Sequence, residues 1–119
     1  MSATGFAKLP PPPYYAVIFS SRRTATGEAD YAATGERMFD LVQAQPGFLG
    51  AESTRGVDGF GITVAYFDSE ENIALWRQQA EHAAARERGK REWYEHVELR
   101  VARVERAYSP RTAHEEQRQ

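Results

Sequence analysis

The pattern of apolar and polar positions divides the chain into strand-like and helix-like segments. Short runs rich in aromatic and β-branched residues, typical of strands, occupy positions 14–21, 48–54 and 60–67. Apolar residues spaced for one face of a helix extend over 26–45, and Pro46-Gly47 ends that helix. These segments predict three strands, with a helix between the first and the second.

The remaining part of the folded region adds one more helix and one more strand. The acid-rich run 68–71 is typical of a helix start, and the helical pattern continues towards Gly89. Alternating residues over 93–107 then predict a long strand with one polar side, which includes His96. The order β, α, β, β, α, β predicts an α+β fold of the ferredoxin-like type, with a four-stranded antiparallel sheet and helices on one face.

The first strand has apolar side chains on both of its sides, which a sheet covered by helices on one face alone does not require. Tyr15, Val17 and Phe19 alternate with Tyr14, Ala16 and Ile18. The last strand also changes phase between Val101 and Val104, as a bulge or a change of packing partner would require. A second copy stacked sheet on sheet would cover the exposed face, so we predict a homodimer.

Length and composition limit the remaining possibilities. The chain has 119 residues, enough for one domain, and we predict an extended arm at 1–13, one domain at 14–109 and a polar tail at 110–119. Basic and acidic residues number 15 and 17, which does not favour binding to nucleic acid or an anionic membrane. No segment has the length and apolar character of a membrane span, so we expect a cytoplasmic protein.

The composition also argues against a metal site. There is no cysteine, so thiolate ligands and disulfides are excluded. The three histidines are His82, His96 and His114, and their spacing matches no ligand motif. We therefore predict no metal ligand, and we assign no chemical role to His114 in the polar tail.

Several motifs resemble the antibiotic biosynthesis monooxygenase domain family. They are PGFLG at 46–50, FDSEENIALW at 67–76 and AEH at 80–82. The likeness extends over about 14–108, and it implies a dimeric α+β barrel with a pocket between the sheet and the helices of each subunit. Characterised members of this family oxidise aromatic polyketides without a cofactor, degrade haem or rearrange small signalling molecules.

The branch that oxidises anthrones lines its cavity with an asparagine, a tryptophan and a tyrosine. Aligned through the acidic helix start, these positions fall on Thr63, Phe67 and Ile73, so the family side chains are absent. Oxygenation without a cofactor needs an apolar cavity and stabilisation of a substrate anion. We predict a cofactor-independent monooxygenase for a small aromatic or apolar substrate. Thr63, Phe67, Ile73 and Tyr66 then line its site.

The haem-degrading branch suggests an alternative. Its helix tryptophan corresponds to Trp76, and its iron-binding histidine corresponds to Arg86. His82 lies one helical turn before Arg86, on the same face. Haem is therefore a possible ligand, and a dimer that binds a small ligand without turnover is a third hypothesis.

Trp76 and His82 are the predicted catalytic residues, with tryptophan as an apolar wall and histidine as the group that deprotonates the substrate. Six residues separate them, which is about 600° of rotation on a continuous helix, so one straight helix cannot point both to one cavity. Both can border one cavity only if the helix breaks, and Ala80 lies between them where the resemblance implies a junction between a longer helix and a short second one, so we predict a break within one turn of Ala80. The alternatives are that Trp76 only packs in the core, that His82 is solvated, and that the arginines from Arg86 onwards form a solvated face or attract an acidic substrate.

Overall fold

The structure is a computed structural model, and it describes residues 5–117. Four strands and four helices follow one another: β1 Tyr14–Arg23, α1 Glu28–Gln43, β2 Phe48–Arg55, β3 Phe60–Phe67, α2 Glu70–Gln78, α3 Ala80–Arg88, β4 Tyr94–Val104 and α4 Ala113–Gln117. The strands pair antiparallel in the order β2-β3-β1-β4. This is the predicted ferredoxin-like α+β arrangement, and the fold class is confirmed.

Helix α1 packs on one face of this sheet. Its Tyr31 ring lies edge-on to Tyr94 of β4 and to Trp93, with centroids 5.8 and 5.6 Å apart. On the same face, Phe67 at the end of β3 is fully buried against Phe48, because both rings lie under the helix layer. Aromatic rings thus fill much of the space between the sheet and the helices, while Tyr14 and Ala16 are buried on the other face of the sheet.

The element boundaries differ from the sequence prediction mainly at helix and strand ends. Strand β3 has the predicted bounds, whereas α1 is shorter than 26–45 and β1 continues to Arg23. Helix α1 begins only at Glu28 because Gly27 has a left-handed backbone, with φ of 71°, which a helix cannot include.

The last strand was predicted too long at both ends. Trp93 belongs to a π-helical turn at Gly89–Trp93, and β4 begins at Tyr94. Pairing between β1 and β4 is regular from His96 to Val104, so the change of phase between Val101 and Val104 does not come from a bulge there. The irregularity lies at the other end of the strand, between the partners of Arg22 and Arg23, where the chain leaves the π-helical turn.

Both ends of the chain also differ from the prediction. The polar tail contains the short helix α4, which the sequence analysis did not predict. The part of the arm from Gly5 onwards is extended, as predicted, but it packs on the sheet face opposite α1. The Ala7 backbone N–H donates to Glu52 Oε2 at 3.1 Å, and Ala7 and Leu9 lie over Gly50. The arm thus covers the β2 side of this second face.

Candidate active site

The helix break predicted near Ala80 is present at Gln79. This residue is extended, with φ of −60° and ψ of 128°, and it separates α2 from α3. Its side-chain Oε1 accepts a hydrogen bond from the His82 backbone N–H at 2.8 Å, which caps α3. The break therefore provides both the end of one helix and the start of the next.

This break brings His82 back onto Trp76. The imidazole and indole rings are stacked, with centroids 4.1 Å apart and planes 10° apart. The His82 Nδ1 atom lies 2.9 Å from the Trp76 carbonyl oxygen. A carbonyl oxygen only accepts hydrogen bonds, so Nδ1 carries the proton of the neutral ring and Nε2 carries the lone pair.

The surroundings of His82 favour the neutral ring. Burial lowers the pKa of His82 below its usual value, and the positive charges of Arg86 and Arg77 act in the same direction. The hydrogen bond to the Trp76 carbonyl opposes this shift without cancelling it. At neutral pH the side chain is therefore a base whose basic atom is Nε2.

Arg86 lies one turn after His82 on α3 and offers an unused donor. Its Nη2 donates to the Arg77 carbonyl oxygen at 2.9 Å. Its Nε atom is buried and has no hydrogen-bond partner among the described residues. A buried N–H without an acceptor is costly, so this contact of α3 with α2 carries an unfavourable contribution to stability.

The predicted site residues of β3 have different surroundings. Thr63 and Phe67 lie four residues apart on the strand, so they share the face that α1 covers. The Thr63 hydroxyl is hydrogen-bonded to Ser53 Oγ at 2.7 Å, and Phe67 is fully buried. Ile73 is half-buried on α2. Phe67 is thus part of the core beneath the site.

Tyr66 is not brought to this site. Successive strand residues point to opposite faces, so Tyr66 faces away from Phe67 and from α1. Its hydroxyl donates to Glu52 Oε1 at 2.7 Å, beneath the N-terminal arm. Burial and the Glu52 carboxylate raise the pKa of Tyr66 to about 12. Its hydrogen bond is structural, because it holds the second face together under the arm.

An apolar hollow of about 390 Å³ separates α1 from α3. Met38, Ala84 and Ala85 contribute to its walls, and the buried ring of Trp93 also lines it. Two ion pairs connect the helices beside it: Arg37 binds Glu81 at 2.8 Å, and Arg88 binds Asp30 at 2.8 Å. A small apolar molecule could enter between these bridges.

Trp76 and His82, the predicted catalytic residues, do not line this hollow. The α3 residues that do are Glu81, Ala84, Ala85 and Arg88, which form one helix face. His82 and Arg86 lie on the neighbouring face, towards α2. That Trp76 and His82 border one shared cavity therefore stays a prediction, although the two side chains are in contact.

Sequence reasoning missed a polar cluster at the other end of β3. Arg55 donates to Tyr31 and Ser21, and the Tyr31 hydroxyl also accepts from Tyr94. The sequence placed Tyr31 on the apolar helix face and gave Arg55 no role. The sequence did offer one signal, because Arg55 on β2 is paired with Gly61 on β3. Glycine has no side chain, so the guanidinium of Arg55 can lie over it.

Residues 5–117 contain no helix with the length and apolar character needed to cross a bilayer. Within the same range, no three histidine, aspartate or glutamate side chains lie close enough together to hold a metal ion.

The sheet order, the helices on one face and the divided second helix define an α+β protein with the fold of the antibiotic biosynthesis monooxygenases. A candidate antibiotic biosynthesis monooxygenase of Nitrosomonas europaea superposes with a TM-score of 0.67 over 76% of this chain and 89% of its own, at 9% identity. A candidate antibiotic biosynthesis monooxygenase of Bordetella bronchiseptica superposes with a TM-score of 0.62 over 76% of this chain and 96% of its own, at 18% identity. Rv0793 of Mycobacterium tuberculosis gives 0.70 over 81% and 99%, at 14% identity.

The chain belongs to the same protein family as the uncharacterized protein YqjZ of Bacillus subtilis (strain 168). The two are 53% identical over 100 residues, which cover 84% of this chain and 87% of YqjZ. No family model matches the chain.

Proposed function

We propose that this protein is a monooxygenase that oxidises a small aromatic substrate without a cofactor, with His82 as the base. The observation that carries the proposal is the contact between His82 Nδ1 and the Trp76 carbonyl oxygen at 2.9 Å. It fixes the tautomer that leaves Nε2 unprotonated, and Nε2 makes no hydrogen bond to the described residues. The fold shared with candidate monooxygenases supports the same reaction class.

The reaction needs a substrate with an acidic CH₂ group next to an aromatic system. Nε2 of His82 removes one proton, and the carbanion adds to O₂ to give a peroxide, which takes the proton back. Loss of water from the hydroperoxide then breaks the second C–H bond and the O–O bond and leaves a carbonyl group. In sum, CH₂ and O₂ become C=O and H₂O.

The protein supplies two further contributions to this reaction. The indole of Trp76 holds the imidazole ring flat and provides an apolar wall. Arg86 lies one turn after His82, and its positive charge acts at the site of the base. The guanidinium charge would favour the anion over the neutral substrate.

Oxygen uptake with a panel of anthrone-like compounds, which carry such a CH₂ group, tests this function. The expected result is consumption of O₂ with entry of one labelled oxygen atom into the product, which is lost in His82→Ala and retained in His96→Ala. His96 is a matched control because it is exposed on β4 and pairs with Glu98. Saturable binding without oxygen uptake would instead indicate a ligand-binding protein.

A second candidate is haem as the substrate. A histidine whose Nδ1 is held by a carbonyl presents Nε2 to a metal, as in many metal-binding histidines. The guanidinium of Arg86, at the position of the family's iron-binding histidine, has no lone pair for iron. The test is haemin titration followed by the Soret band, in which His82→Ala should abolish the shift seen with the unchanged protein.

We further propose that the protein is a homodimer. On the sheet face opposite α1, the arm covers the β2 side, whereas Phe60 and Ile62 remain 42% and 38% exposed. Ile18 and Val64 pair next to them on the same face. This apolar surface on a sheet is suited to a second copy of the same face.

A further inference from the structure

A second hollow, of about 530 Å³, lies at the end of the sheet far from Phe67. It forms where the connection from β1 to α1, the hairpin between β2 and β3, and the start of β4 meet. Its charged lining residues are Arg23, Arg55, Glu28, Asp58 and Glu95, and its hydroxylated ones are Tyr31 and Thr24. None of the residues of the candidate active site lines it, so it is a separate place on the molecule.

Arg55 is the first unusual feature of this hollow. Its guanidinium donates only to uncharged groups: the carbonyl oxygens of Ser21 and Gly59, Ser21 Oγ and the Tyr31 hydroxyl. No carboxylate among the described residues forms an ion pair with it. A partly buried guanidinium without an acidic partner retains a full charge that an anion can neutralise.

Tyr31 is the second unusual feature. Its hydroxyl oxygen accepts from Arg55 Nη2 at 3.1 Å and from the Tyr94 hydroxyl at 3.2 Å. Its own proton has no acceptor among the described residues. Two donors on one oxygen strengthen that hydroxyl as a donor in turn, because hydrogen bonds in a chain polarise one another. The ring is held in place by Arg23, whose guanidinium carbon lies 3.7 Å from the ring centroid.

The acidic residues of the hollow limit the charge of a ligand. Glu28 pairs with Arg23 at 3.1 Å, and Asp58 pairs with Arg22 at 3.4 Å. Glu95 is exposed and has no ion pair among the described residues. Arg55 and Glu95 are thus the unpaired cation and the unpaired anion of the hollow. Because their charges balance, repulsion opposes a ligand with two negative charges more than a ligand with one.

We propose that this hollow binds the carboxylate group of a small organic acid, with Arg55 and the Tyr31 hydroxyl as donors. Both Nη atoms of Arg55 already donate to protein groups, so Arg55 offers its Nε–H and its positive charge to one carboxylate oxygen, and the Tyr31 hydroxyl donates to the other. Helix α1 also begins at this hollow, and its N-cap residue Gly27 has no side chain to cap the first backbone N–H groups. The positive end of the helix dipole therefore also favours an anion here.

Calorimetric titration of the full chain with benzoate tests the site, with inorganic phosphate as a second probe. Tyr31→Phe removes the donor and keeps the ring, and we expect it to weaken benzoate binding about tenfold, equivalent to about 1.4 kcal/mol. Tyr108→Phe is the matched control: it removes an exposed tyrosine hydroxyl from a residue outside the hollow, and benzoate affinity should stay within about twofold.

A further variant tests the proposal even if Tyr31→Phe folds poorly. Glu95→Gln removes the rim acid without breaking a described hydrogen bond, and it should tighten benzoate binding several-fold, because the repulsion is lost. No benzoate binding, equal binding by wild type and Tyr31→Phe, or binding of phosphate in preference to benzoate would each overturn it. None of these outcomes depends on His82, so oxygen uptake at the first site is judged separately.

Discussion

The imidazole of His82 lies parallel to the indole of Trp76, with ring centroids 4.1 Å apart, although six residues of chain separate them. The contact exists because Gln79 leaves the helical conformation and turns α3 back on α2. The contact with Trp76 fixes the tautomer of His82 and partly buries its ring.

Replacement of His82 by alanine should reduce any oxygenase turnover about 10²-fold or more, which is the usual effect of losing one general base. The fold should survive, because the side chain is only half-buried and α3 keeps its cap from Gln79. Steady-state oxygen uptake and circular dichroism measure the two quantities. An unchanged turnover in a folded His82→Ala variant would remove His82 from the mechanism.

The titration of His82 should have its midpoint below the ordinary value of 6.5. Because burial lowers the pKa in the folded state, the unfolded chain binds the proton more readily. The contribution of His82 to the free energy of unfolding is therefore fully present above about pH 6.5. It is lost as the pH falls towards the folded-state pKa. NMR titration of the ring gives the midpoint, and urea unfolding of wild type against His82→Gln should show a smaller loss on acidification in the variant.

Two glycines at α1 should respond to alanine in opposite ways. Gly27 has φ of 71°, and a Cβ there would lie 3.0 Å from Trp93 Nε1, so Gly27→Ala should destabilise the fold by about 1–2 kcal/mol or more. A Cβ at Gly35, inside the helix, meets open space, so Gly35→Ala should stabilise by about 1 kcal/mol. Urea unfolding of both variants measures the difference, and the same sign for both would contradict it.

Phe67→Ala should cost about 3–5 kcal/mol of unfolding free energy, because this ring is the largest fully buried side chain described. Phe6→Ala is a suitable control, since Phe6 is 96% exposed. A small loss in Phe67→Ala would show that the ring lines an adaptable cavity and not a packed core. Denaturant unfolding followed by far-ultraviolet circular dichroism gives both values.

The proposed dimer predicts that Ile62→Lys dissociates the protein. Ile62 is 38% exposed in the single chain, so a charge is tolerable there in a monomer but not against an apolar partner surface. Sedimentation should give a species near twice 13.4 kDa for the wild type and near 13.4 kDa for the variant. Val57→Lys, in the exposed hairpin, should leave the mass unchanged. A wild-type monomer at micromolar concentration would contradict the dimer.

The sequence by itself determined the order of the elements and the bounds of β3. These features are local: alternation over 60–67 has the period of a strand, and the Asp58-Gly59 turn fixes the hairpin. The same period also places Tyr66 and Phe67 on opposite faces. Tyr66 and Phe67 therefore cannot both face one substrate site on this sheet.

The tertiary structure alone decided which side chains meet. The break near Ala80 could be predicted, but the stacking of His82 on Trp76 depends on the backbone angles of Gln79, which no local pattern specifies. Likewise, Arg55 and Tyr31 are 24 residues apart and meet only because β2 and α1 converge at one end of the sheet. Side chains from distant segments depend on the packing of whole elements, whereas the elements themselves follow from neighbouring residues.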